Sequence, residues 1–179
     1  NYVMDAAMDG AVNNTAVGHA SLGAITTGDS NVAIGYAAGA ALTNNENNIA
    51  IGSSALSTAN LSEYGNIAIG TSAGASIDGA ESHYNIIIGN TAGSGGSGTM
   101  LQCIVLGRNA MKSTAGNAQT GTVAIGGSAL NALTSGAGNT AIGYHSQNVI
   151  TVGAQNTTLG YDSLALDVGG KRTTAIGNS

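Results

Sequence analysis

The chain has 179 residues, a formal net charge of −5 and only 7% charged residues, against a usual ~25%. Its four basic residues (Arg108, Lys112, Lys171, Arg172) form no stripe, which argues against nucleic acid as a partner. No apolar run approaches the ~20 residues of a membrane span, and the lone cysteine, Cys103, excludes an intrachain disulfide.

The first predicted element is a strand at Asn14-Thr15-Ala16-Val17-Gly18: an Asn, a β-branched residue, Ala, a large aliphatic residue and Gly. The pattern recurs at 31–35, 48–52, 66–70, 85–89, 103–107, 122–126, 139–143, 156–160 and 173–177. The closing glycines are Gly18, Gly35, Gly52, Gly70, Gly89, Gly107, Gly126, Gly143, Gly160 and Gly177, spaced 17, 17, 18, 19, 18, 19, 17, 17 and 17 residues apart. A steady period of this size around a strand-like core marks a solenoid. The expectation is an all-β parallel β-roll, or β-solenoid, of about ten 17–19-residue coils. It forms a single repeat domain over 1–179, with no linker or composition shift. The chain has no initiator Met and reads as a segment of a longer fibre.

Within each coil, the second position (Thr15, Val32, Ile49 and their successors) and the fourth (Val17, Ile34, Ile51 and onward) share one strand face. This branched ladder suits the inside of the coil. The third position is Ala16, Ala33, Ala50, Ala68, Ala124, Ala141 and Ala175, with Ile87, Val105 and Thr158 as exceptions. Persistent Ala implies close approach of another backbone, so these alanines are expected to pack against neighbouring chains. Small residues also recur three positions after each Gly, from Ser21 and Ala38 to Ser163. Second apolar segments at 22–25, 130–133 and 149–152 suggest two strands and two turns per coil. Variable polar stretches such as 43–47 and 93–98 close it and take the insertions. Such a coil offers few large side chains to offset the cost of ordering ~17 residues at roughly 1–2 kcal/mol each, so self-association is expected.

Asn-Val-Ala-Ile-Gly (31–35), Asn-Ile-Ala-Ile-Gly (48–52 and 66–70) and Asn-Thr-Ala-Ile-Gly-Tyr (139–144) resemble the head repeats of YadA-like trimeric autotransporter adhesins. They are also similar to repeats of phage tail-fibre proteins that carry an intramolecular chaperone. The resemblance covers about residues 14–177. It implies a left-handed roll in a side-by-side homotrimer, on a virion fibre or a bacterial surface, contacting a cell-surface glycan or protein receptor. The longer period, with Tyr36, Tyr144 and Tyr161 after the Gly, leans towards the phage fibre.

Candidate chemistry is sparse. Gly93, Gly95 and Gly98 fit a dinucleotide-binding spacing, but no helical pattern follows to hold a phosphate. Gly170-Lys171-Arg172-Thr173 lacks the upstream Gly of a P-loop. The acidic residues change register from coil to coil, which argues against periodic calcium sites. Nothing aligns a nucleophile with a base. No catalytic residue, metal ligand or cofactor is assigned, and a non-enzymatic role is expected. Cys103 takes the Asn position of the sixth repeat as a tolerated small residue. Tyr144, His145, Tyr161 and Asp162 are expected to stack in adjoining coils, with Lys171 and Arg172 nearby in sequence, as a possible ligand patch. Ice binding, a remote alternative, is disfavoured by the expected inward facing of the second-position Thr. The leading expectation is a structural segment of a trimeric phage attachment fibre; the alternative is a bacterial adhesin head.

Overall fold

A computed structural model of the protein describes the chain except residues 1, 2, 5, 7, 8, 62, 80, 97, 115–117 and 179. Its strands, in order, are Thr15–Val17 (β1), Val32–Ile34 (β2), Ile49–Ile51 (β3), Ile67–Ile69 (β4), Ile86–Ile88 (β5), Met100–Leu101 (β6), Ile104–Leu106 (β7), Gln119–Thr120 (β8), Val123–Ile125 (β9), Thr140–Ile142 (β10), Thr157–Leu159 (β11) and Thr174–Ile176 (β12). Ten of them stack in parallel in one sheet, and β6 pairs with β8 in a second. Each strand of the large sheet is the middle of one repeat, paired in register with the next: Ala16 with Ala33, Ala33 with Ala50, Ala50 with Ala68. The molecule is thus a parallel β-solenoid, and its sheet spans about 43 Å at ~4.8 Å per step.

The facing of the repeat is the reverse of that expected. Ala33, Ala50, Ala68, Ala124 and Ala141 are sealed inside the single chain at 0% exposure, and Ile87, Val105 and Thr158 with them. The branched second and fourth positions point outward. Alternation by two shows which residues share a face but not which face is inside. The lumen decides: the residue three after the Gly reaches straight across to the third position. The Ser21 hydroxyl donates to the Ala33 carbonyl at 2.9 Å, and the Ser146 and Thr158 hydroxyls meet at 2.6 Å. A gap that narrow accepts a methyl group. Where the third position is large, space is made elsewhere: Ile87 lies against Gly74 and Gly93, which replace the Leu found four after the Gly in coils such as those of Leu22 and Leu56.

The expectation of two strands per coil also needs correction. The segments starting at Leu22 and Leu130 are turns, with φ of 48° at Leu22 and 50° at Leu130, a left-handed conformation that no strand uses. Among the described residues, second-strand pairing is confined to β6–β8 and the bridges Glu46–Tyr64 and Ala154–Lys171. The turn is entered at the repeat Gly, where φ is 124–140°. A Cβ at Gly52 would lie 2.6 Å from the Gly70 carbonyl of the next coil, so both conformation and contact require Gly there.

The Asn that opens each repeat is an interior residue. Asn31 is held to Asn14 Oδ1 through its backbone N–H (2.9 Å) and its side-chain amide (3.1 Å); Asn48 on Asn31, Asn66 on Asn48 and Asn85 on Asn66 repeat the pair. Each amide also donates to a carbonyl of the next coil, such as Asn48 to Glu63 (2.9 Å) and Asn66 to Ser82 (2.8 Å). Cys103 and Thr122 interrupt the ladder. Cys103 is fully buried, and burial pushes its thiol up. Asn45, within a stretch read as a variable loop, is buried and donates to Glu63 at 2.6 Å.

Candidate functional site

The outward positions form a flat strip two side chains wide along the ten-stranded sheet. Val17 is 56% exposed, Ile34 39%, Ile86 38%, Ile88 39%, Ile142 37% and Leu159 47%. A column of half-exposed aliphatic side chains of this length is more than the scattered apolar residues of an ordinary surface. This strip, not the Ala column, is the face available to another chain. Ala16, Ala33, Ala50, Ala68, Ala124, Ala141 and Ala175 belong to the lumen-facing column; the middle five are fully buried within the chain and so are not surface for trimer packing, while Ala16 and Ala175, in the end coils, are half-buried. The second-position threonines likewise face out: Thr15, Thr157 and Thr174 are exposed and Thr140 is half-buried.

The strip has two edges. The end edge carries the residues following each repeat Gly. There the four residues expected to stack do so: the Tyr144 and Tyr161 rings lie 5.4 Å apart at 22°, and the His145 ring lies 3.9 Å from Tyr144 at 18°. His145 Nδ1 is 3.3 Å from Asp162 Oδ1. Lys171 and Arg172 do not join this group. They precede β12 and so sit on the start edge, about 15 Å across the strand from the end edge at ~3.3 Å per residue. Arg172 Nε donates to Gln155 Oε1 at 3.0 Å.

Two further aromatic groups escaped the sequence reading. His19 stacks on Tyr36 at 5.5 Å on the end edge. Tyr64 stacks on His83 at 3.8 Å and meets Tyr84 edge-on at 5.1 Å on the start edge. A hydrogen bond between the phenols pushes Tyr64 up. All three histidines thus stack on tyrosines, and none of the described tyrosines enters the core. Comparing columns of the repeat, rather than adjoining copies alone, would have exposed the pair at Tyr64 and His83, which occupy the same place before successive Asn residues.

Other sequence candidates resolve into structure. Gly93 and Gly95 lie in a turn packed on Ile87 and Lys112, and the same stretch includes Ser97, outside the described residues. No helix follows. Among the described residues, no group of three or more His, Cys, Asp or Glu side chains could hold a metal, and no helix is long and apolar enough to cross a membrane. The interior does hold polar groups at a cost. Gln119 and Gln147 are fully buried with both amide atoms unpartnered, as are one oxygen each of Glu63 and Asp78. A shallow groove lies at the C-terminal end against β12, lined by Ser163, Leu164, Ala175, Ile176, Gly177 and Asn178.

No protein-family model, curated protein or solved structure matches this chain.

Proposed function

We propose that this protein is a rigid, non-enzymatic segment of an extracellular attachment fibre in which three copies pack side by side along their outward strips. The strip of Val, Ile and Leu carries this reading. Covering the exposed part of one such side chain is worth about 0.5–1 kcal/mol, and the strip repeats that gain along the whole rod. A cyclic arrangement about an axis parallel to the rod lets every strip meet two neighbours at once. The repeat's likeness to phage tail-fibre and adhesin heads supports three copies, with the phage fibre as the leading version and the bacterial adhesin head as the alternative. The roll acts as a stiff projecting spacer whose side loops add weak, repeated contacts.

Light scattering should give a mass near three times 17.3 kDa. Paired Ile51→Asp and Ile69→Asp substitutions should release monomers that keep their β-rich circular dichroism. A folded monomer of the parent chain at low micromolar concentration would overturn the assembly. The outward Thr15, Thr140, Thr157 and Thr174 favour one second reading, an ice-binding face, which a monomer showing thermal hysteresis would establish in its place.

A further inference from the structure

Given the three-copy packing proposed above, on which this rests, we infer that the start edge of each copy pairs with the end edge of the next, in register and parallel, through an ion pair near one end of the rod and a carboxylate–imidazole contact near the other. Two hydrogen bonds set the heights. Arg172 reaches back to Gln155, which leads into β11, and so stands within about one coil (~4.8 Å) of Asp162, which follows β11 on the opposite edge and itself reaches back to His145. Asp29 reaches back to the Val12 N–H at 2.7 Å, in the lead-in to β1, and so stands level with His19, which follows β1. At each height the start edge carries groups that complement the end edge: a carboxylate able to accept a hydrogen bond from the imidazole near β1, and two cations opposite a carboxylate near β11. Lys171 and Arg172 are exposed, and the Asp162 side chain is 31% exposed beside His145.

Within one copy these groups stand on opposite sides of the strand and cannot meet. Rotation about an axis parallel to the rod brings the end edge of one copy to the start edge of the next, and height is preserved. The group at Tyr161, His145 and Asp162 is then half of a site, completed by Lys171 and Arg172 of the neighbouring copy. Such rim charges fix register and partner choice more than they add affinity.

The test is a full-length Asp162→Cys/Arg172→Cys chain with Cys103→Ser, oxidised and run without reductant. Cysteines whose Cα atoms are more than about 7 Å apart cannot be bridged, so an internal disulfide is excluded. The double variant should close into a covalent trimer, and each single variant should stay uncrosslinked. A native trimer that yields no crosslink would refute the edge pairing while sparing the assembly. Dimers from Asp162→Cys alone would refute it in favour of an antiparallel contact. A native monomer would refute the assembly and the pairing together. A second arm guards against misfolding: Asp162→Arg should weaken association about 10-fold on dilution, and adding Lys171→Glu and Arg172→Glu should restore it. Absence of rescue in folded chains would count against the pairing.

Discussion

Individual buried groups in this roll have natural controls, because each occupies a column sampled by other coils. Gln147 holds the place of Leu22, Leu56 and Leu130, with φ of 51° against 48–50° in those leucines. Its amide is buried without partners, and an unpartnered buried polar group costs about 1–3 kcal/mol. Gln147→Leu should therefore stabilise the protein by about that amount in urea titrations, and Leu130→Gln should destabilise it; equal effects of the two would contradict the column argument. Glu63 supplies the pH dependence. Burial pushes its carboxyl above the ordinary 4.5, against the pull of its hydrogen bonds with its own backbone, Leu61 and Asn45, while Asp78 adds a smaller upward push. A folded value above the unfolded one means a contribution fully present below about pH 4.5 and lost as pH rises through the folded value. Glu63→Gln should thus melt no lower than the parent at about pH 8, and its advantage should shrink towards about pH 4. A difference that stays constant across that range would show that Glu63 does not titrate as argued.

At the scale of the coil, the Asn ladder adds a polar spine beside the buried apolar core of residues such as Leu22, Leu56 and Leu130. Asn66 alone accepts two hydrogen bonds from Asn85 and donates to Asn48 and Ser82. Asn66→Ala leaves several buried partners unsatisfied and should cost about 2–4 kcal/mol, more than the same change at exposed Asn44; the comparison needs only thermal melts. The ladder is also where sequence reading was most and least effective. Ten evenly spaced strand cores were legible, because the period survives insertions that fall between Ala59 and Glu63 or Ile77 and Ser82. The facing was not. Ala68 between Ile67 and Ile69 alternates identically whether it lies in or out, and only the narrow lumen across from Ala73 decides. Leu22 and Leu130 looked like strand residues because a left-handed Leu leaves no mark on composition. The burial of Asn was available in principle: a polar residue kept in seven of ten copies beside a strand has a structural reason.

For the whole molecule, the distribution of aromatics bears on spacer against receptor-binding segment. Tyr144 stacks on His145 and Tyr161, contacts that hold the ring in place with no ligand bound and so favour the spacer. A Tyr144→Ala/Tyr161→Ala variant should keep the mass of the parent assembly, and adsorption of the parent segment to host cells or a glycan array should be no better than that of the variant. Saturable adsorption by the parent, lost in a variant that melts normally, would make this edge a receptor site and would count against its being covered by the neighbouring copy.

The glycine column carries a mechanical consequence. Gly18, Gly35, Gly52 and Gly70 form a line in which each α-carbon rests on the carbonyl of the next coil with no side chain between. That line can neither shorten, because backbone already touches backbone, nor lengthen without breaking the adjoining sheet bonds. It therefore behaves as the inextensible spine of a beam. Bending towards or away from that line must open or close the opposite wall, whose coils are themselves joined by bonds such as Thr26 N–H to the Thr43 carbonyl (2.9 Å), whereas a sideways bend leaves the line's length unchanged. In the three-copy packing proposed above, three such lines would stand on three sides of one axis, so that a bend sideways to one would stretch or compress the others.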